Sequence, residues 1–190
     1  PTLNPLRPGY GQAVTPPSTL TTRRDSSLQQ LGFYAQDQLA WNNWRLSAGL
    51  RHDRARQESD DRLAHTETRQ ADNATTGRIG VNYLFANGLA PYANYATSFL
   101  PQGGSDRHGK AFTPERGEQF ELGVKYQPNA RTLLTAAVYE LTKQDVTTTD
   151  PVDRRFSIQK GEIRSRGLEL EARQELFTGL NLIAQITLNE

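Results

Sequence analysis

Gln119-Phe120-Glu121-Leu122-Gly123-Val124-Lys125-Tyr126 alternates without a break between a polar or glycine residue and an apolar one. In an extended strand successive side chains point to opposite sides, so Phe120, Leu122, Val124 and Tyr126 share one face. Gln119, Glu121, Gly123 and Lys125 share the other. The apolar face needs a dry neighbour; the opposite face, with a glutamate and a lysine at mid-strand, needs water.

The same split recurs on both sides of this stretch. Trp44, Leu46, Ala48 and Leu50 oppose Arg45, Ser47, Gly49 and Arg51. Ile79, Val81, Tyr83 and Phe85 oppose Arg78, Gly80, Asn82 and Leu84, and Leu180, Leu182, Ala184, Ile186 and Leu188 oppose Asn181, Gln185, Thr187 and Asn189. Only Leu84 and Ile183 intrude. About eight segments read with period 2, over 28–41, 44–55, 77–86, 89–99, 117–127, 131–142, 157–172 and 179–190, and no helical stripe competes. Two segments resist a clean division. Leu133, Ala137, Tyr139 and Leu141 face away from Leu134, Ala136 and Val138, which leaves the sides of the sixth strand unassigned. Asp37 shares a face with Leu31, Phe33, Ala35 and Leu39, which requires a place near an interface or beside a bulge.

The connections alternate in length. Asn42-Asn43, Ala86-Asn87-Gly88, Gln127-Pro128-Asn129-Ala130 and roughly 173–178 are hairpin-sized and carry turn residues. Between them lie polar stretches at 55–76, 100–116 and 143–156, each longer than the ~12 residues beyond which a structureless loop is uncommon in a compact domain. Short turns at one end of a meander and long loops at the other describe a bacterial outer-membrane barrel. The fold class expected is therefore all-β, an antiparallel up-and-down meander of about eight strands inside a larger transmembrane barrel.

If the polar faces met lipid, Lys125 alone would cost up to ~2–4 kcal/mol at the bilayer midplane. The apolar faces are therefore expected to look outward and the charged ones to border a wet lumen. Trp41, Trp44, Phe85, Tyr92, Tyr126 and Phe177 gather beside the short turns, as an aromatic girdle at the periplasmic interface would.

Composition removes other classes. The chain has 190 residues, 22 Lys and Arg against 21 Asp and Glu, a formal charge of +1, no Cys and no Met. Disulfides and thiolate metal sites are excluded. Mean hydropathy is -0.70, and no apolar run approaches the ~18 residues of a membrane helix. Balanced charge gives nucleic-acid binding little support. Residues 1–26, with Pro5, Pro8, Gly9, Gly11, Pro16 and Pro17, read as an irregular loop or arm, and 27–190 as a partial barrel. The start at Pro1 and the absence of Met suggest a piece of a longer protein.

Several segments resemble a known family. Gly32-Phe33-Tyr34-Ala35-Gln36-Asp37-Gln38, followed by Gly49-Leu50-Arg51-His52-Asp53, is similar to paired barrel strands of TonB-dependent siderophore receptors. Further matches follow in order: Pro91-Tyr92 with Tyr95 and Ser98-Phe99, then Pro114 to Lys125, then Gly161 to Glu171. The wording is nearest to the ferrichrome and hydroxamate branch. His52 stands where the family usually has Tyr. The resemblance implies an outer-membrane barrel of about 22 strands, filled by a plug domain. It implies uptake of ferric siderophores, with energy relayed by TonB, ExbB and ExbD. Neither a plug, nor a TonB-contacting box, nor a terminal strand ending in an aromatic residue is recognisable in this sequence. The segment by itself is expected not to transport and, with two unpaired strand edges, to self-associate.

In such a receptor the outer loops and upper lumen wall capture the ligand through aromatic and basic residues. Position and chemistry nominate Phe99, Arg107, His108, Lys110, Phe112 and Phe156. Stacking and hydrogen bonds are expected to dominate, with the basic residues steering encounter. No resident cofactor or metal is expected: His52, His65 and His108 are scattered, without ligand spacing. Ser105, Asp106 and His108 crowd one loop, but near neighbours in a loop make no preorganised triad, so no enzyme is expected. Asn73-Ala74-Thr75 matches a glycosylation sequon by accident. Arg154, Arg155, Arg164 and Arg166 form the densest basic cluster and are read as a solvated loop and strand end in preference to a site for an anionic ligand or lipopolysaccharide phosphate.

Two other functions fit parts of this pattern. A soluble eight-stranded lipocalin-like barrel reverses the faces, with an apolar interior and a polar exterior. A passive porin or adhesin barrel shares the architecture and differs in lacking a plug.

Overall fold

Period-2 segments joined by tight turns pair with their chain neighbours, and here they do so throughout. A computed structural model describes residues 19, 23–63 and 65–190. The strands are β1 (Arg24–Trp41), β2 (Trp44–Asp61), β3 (Thr66–Tyr83), β4 (Leu89–Leu100), β5 (Glu115–Asn129), β6 (Thr132–Thr149), β7 (Ser157–Phe177) and β8 (Leu180–Asn189). They form one eight-stranded antiparallel sheet in the order β1 to β8, the meander expected from the sequence. β1 and β8 are its edges. Most of the arm expected over 1–26 lies outside the described residues, and β1 begins at Arg24.

Turn chemistry sets one end of the sheet. Asn42 adopts φ 50° in the two-residue turn between β1 and β2, a conformation that asparagine tolerates. Gly88 at φ 85° closes the 84–88 turn, where the Phe85 amide donates to the Leu89 carbonyl at 2.8 Å.

The other end differs from expectation. Residues 55–76 are mostly strand, not loop: β2 and β3 stay in register from Trp44↔Tyr83 to Asp61↔Thr66. β6 likewise runs on to Thr149 through a bulge between Lys143 and Val146, with Asp145 at φ 59°. The reason is physical. A strand crosses the bilayer in about 9–11 residues, whereas β2, β3 and β6 each have 18. Beyond the hydrocarbon both faces meet water, so no hydrophobic alternation marks the extension. β4 and β5 are shorter, with 12 and 15 residues, and the connection between them is long as expected. Two tall hairpins, β2/β3 and β6/β7, therefore flank a low centre.

Register fixes the faces. Tyr95↔Phe120, Ala93↔Leu122 and Leu122↔Val138↔Leu168↔Leu188 join into one apolar side. This side is the open one, with Phe120 52% and Leu122 50% exposed. On the polar side, Asp53, Ala55, Glu115 and Ala137 are buried. A lipocalin-like barrel would enclose the apolar side, so that alternative is removed. Pairing also assigns β6: Leu134, Ala136 and Val138 face outward, and Ala137, Tyr139 and Leu141 face the lumen. β1/β2 pairing is unbroken, so no bulge accompanies Asp37, which lies outward opposite Ala48, four residues from Trp41.

The girdle needs one correction. Tyr92 pairs with Gly123 on the lumen side and does not belong to it. Tyr83 does, packing edge-on against Trp44 at 4.8 Å and Phe85 at 4.6 Å. Trp41, Trp44, Phe85, Tyr126 and Phe177 are exposed, as an interfacial belt requires.

Candidate functional site: the lumen wall and its outer rim

Strand alternation delivers a polar wall along the lumen side. Near the short turns, Arg45, Asn82, Tyr92, Asn94, Glu121 and Lys125 line an open groove of ≈ 530 Å³. The Tyr92 ring lies across Gly123 on the neighbouring strand, where a Cβ would stand 2.5 Å from the ring. Lys125 Nζ sits 5.3 Å from the centre of that ring, within reach of a cation–π attraction. Asn82 Oδ1 is buried here without a hydrogen-bond partner.

Higher on the wall Asp53 is 1% exposed. It accepts Arg51 Nε at 2.6 Å, Arg51 Nη2 at 2.7 Å and Gln30 Nε2 at 2.9 Å. A buried carboxylate is stable only when paired in this way. Arg51 and Asp53 both fold over Gly32, which leaves no room for a side chain there.

The rim is formed by loop 101–114 between β4 and β5 and loop 150–156 between β6 and β7. Loop 101–114 spans the low centre and holds to both tall hairpins. On one side Gln70 Nε2 of β3 donates to the Phe112 carbonyl at 2.6 Å. On the other, the Thr113 amide and hydroxyl donate to Gln159 Oε1 of β7 at 2.8 and 3.0 Å. Gln159 Nε2 in turn donates to the Asp145 carbonyl at 2.7 Å. The loop turns at Asp106, whose Oδ1 accepts the His108 and Lys110 amides at 2.8 and 2.9 Å. The Lys110 amide chiefly, then that of His108, holds the Asp106 carboxyl below the ordinary carboxylate range. In loop 150–156 the Arg155 guanidinium holds Asp153 down to about 2.

The six residues nominated from sequence separate in space. Arg107, His108 and Lys110 are exposed on the rim, and Phe156 is 39% exposed beside them. Arg107 lies 3.6 Å from Asp150, which joins the two loops, and within loop 150–156 the Asp150 amide donates to the Phe156 carbonyl at 3.0 Å. Phe112 is 8% exposed and packs under Gly104. Phe99 pairs with Arg116 and falls on the outward side with Tyr95.

The remaining polar motifs take structural places. Asp106 binds backbone amides and not an imidazole, while His108 Nε2 accepts Arg107 Nε at 3.0 Å. His52 pairs with Thr75 on the outward side, and Asn73 lies inside β3 opposite Arg54. Arg155, Arg164 and Arg166 are each paired with an acid, Asp153, Glu162 and Glu140 respectively.

An open sheet with an apolar outside and a polar, groove-bearing inside is the geometry of a barrel wall. The profile of the family described as TonB dependent receptor-like, beta-barrel matches residues 2–189. The chain belongs to this family. TonB-dependent receptors and their relatives transport or bind; they are not enzymes. The chain is 43% identical over 160 residues to the ferrichrome outer membrane transporter/phage receptor of Escherichia coli K12, covering 84% of this chain and 21% of that protein. It is 38% identical over 189 residues to the ferrioxamine B receptor of Salmonella typhimurium SL1344, covering 98% of this chain and 26% of that protein. Among solved structures it superposes with TM-score 0.74 on BauA, the ferric preacinetobactin receptor of Acinetobacter baumannii. That pair is 24% identical, covering 98% of this chain and 28% of the other. The chain thus spans about a quarter of the length of the curated relatives it matches.

Sequence reading missed Gln70, Gln159, Asp53 and Asp150. Gln70 sits in a polar stretch and Gln159 at the start of a period-2 segment, neither with a local signal. Asp150 did carry one, because Asp150-Pro151 favours turn initiation.

Proposed function

We propose that this chain is part of the wall of a bacterial outer-membrane receptor for ferric siderophores, energised through TonB, ExbB and ExbD in the intact protein. The observation that carries the reading is the division of the sheet: apolar residues and an aromatic belt on the open side, a polar wall on the other. The ligand class rests on relatives named as receptors for ferrichrome and ferrioxamine B. Iron in this reading is cargo inside its chelate and not a resident cofactor. Arg107, His108 and Lys110 would steer an oxygen-rich chelate to the rim, and Phe156 would offer an aromatic surface to it. Outer-membrane lipid contacts the apolar side.

The test uses the full-length protein in a strain lacking its own siderophore receptors. Cells are given radiolabelled iron as ferrichrome or ferrioxamine B, with and without TonB. Saturable uptake that disappears without TonB is expected. Unsaturable entry that ignores TonB would instead describe a passive pore. Alanine at Phe112 and at Phe156, followed by a binding titration, tests the rim: Phe156→Ala is expected to weaken binding, and unchanged affinity in both removes these two aromatics from the site.

A further inference from the structure

We infer that Arg107 and Asp150 form a charge latch that pins the tip of loop 101–114 to the β6/β7 hairpin. The inference goes beyond the receptor reading and stands without it. Asp150 is 2% exposed. Its Oδ1 accepts the Val152 amide at 2.8 Å and the Asp153 amide at 3.4 Å, and so shapes the turn. Its Oδ2 is buried with no hydrogen-bond partner, and Arg107 Nε lies 3.6 Å away. The Arg107 Nε–H is given to His108 Nε2, so the guanidinium compensates Asp150 by charge and not by a hydrogen bond. A carboxylate out of water needs donors or a cation. Oδ1 has the donors, and Oδ2 has Arg107. Arg107 also draws on Asp153, so both carboxylates at this end of loop 150–156 feel one guanidinium.

The other ties of the loop are neutral and sit elsewhere. Gln70 and Gln159 hold Phe112 and Thr113, at the end nearest β5. Among the described residues, the ion pair that ties the tip around Asp106–Lys110 to a neighbouring hairpin is Arg107–Asp150, while Gln57 of β2 packs against Gly103 where the loop begins. With the latch closed the tip rests against loop 150–156. With Arg107 drawn away, the tip is free to swing about the fixed Phe112–Thr113 end.

Hydrogen exchange on the full-length protein in detergent micelles tests this, read over peptides covering 103–111 and, as an internal control, β5. Arg107→Gln is expected to speed exchange in 103–111 about tenfold while β5 stays protected. Arg107→Lys keeps the charge and should exchange within about twofold of the parent. The double variant Arg107→Gln/Asp150→Asn removes the orphaned charge along with its partner and should exchange more slowly than Arg107→Gln alone. The latch is overturned if Arg107→Gln stays within about twofold of the parent, if Arg107→Lys behaves like Arg107→Gln, or if the double variant exchanges as fast as Arg107→Gln alone or faster.

Discussion

The Tyr92 ring covers the α-carbon of Gly123, its cross-strand partner, so closely that a Cβ there would stand 2.5 Å from the ring. The same relation joins Tyr139 to Gly167 at 2.6 Å. Gly123 and Gly167 on the lumen side are thus the seats of a neighbouring tyrosine ring. Gly123→Ala is expected to push the ring off and cost about 1–3 kcal/mol, as overpacking does. Gly49→Ala is the control, since its Cβ would meet Arg78 at an ordinary 3.4 Å. Urea unfolding of the full-length protein in lipid vesicles measures both, and equal effects would reject the seat.

Leu122 is half exposed on the outward side and sits four residues above Tyr126 of the girdle. Leu122→Arg should therefore cost about 2–4 kcal/mol in a bilayer. Gln119→Arg, on the lumen side, should change stability by no more than about 0.5 kcal/mol. Similar costs for the two would contradict the assignment of faces.

Asp153 accepts Arg155 Nη2 at 2.7 Å and titrates near 2, below its ordinary carboxylate range. A depressed folded-state value means that the pairing supports loop 150–156 fully above about pH 4. That support is lost as pH falls from there through about 2. The carboxyl carbon resonance of Asp153 should shift with a midpoint near 2, and Arg155→Gln should return it toward the ordinary range. An unchanged midpoint in that variant would show that Arg155 is not the cause.

β1 and β8 present strand edges without partners in the described sheet. The 190-residue segment alone is expected to pair edge to edge or to aggregate. Sedimentation velocity in detergent-free buffer decides it: a monodisperse, protease-resistant monomer would count against the open sheet.

Alternation by itself determined the strands that cross the bilayer, their order and the outward faces of β2, β3, β5 and β8; of the short turns it placed 42–43, while β5 and β7 run on to Asn129 and Phe177 and shorten the turns expected at 127–130 and 173–178 to 130–131 and 178–179. One face must meet hydrocarbon and the other water, and that demand is written into every second residue from Phe120 to Tyr126. Only tertiary pairing decided the rest. β6 is apolar on both sides, and its partner Leu122↔Val138 settled which side faces lipid. Residues 56–61 and 66–76 continue as strand outside the hydrocarbon, where nothing forces alternation, and only the hydrogen-bonded register reveals them. The rim is further still from local sequence. Gln70, Thr113 and Gln159 meet because two tall hairpins stand on either side of a short pair of strands, and a lone glutamine carries no mark of the neighbour that will reach it.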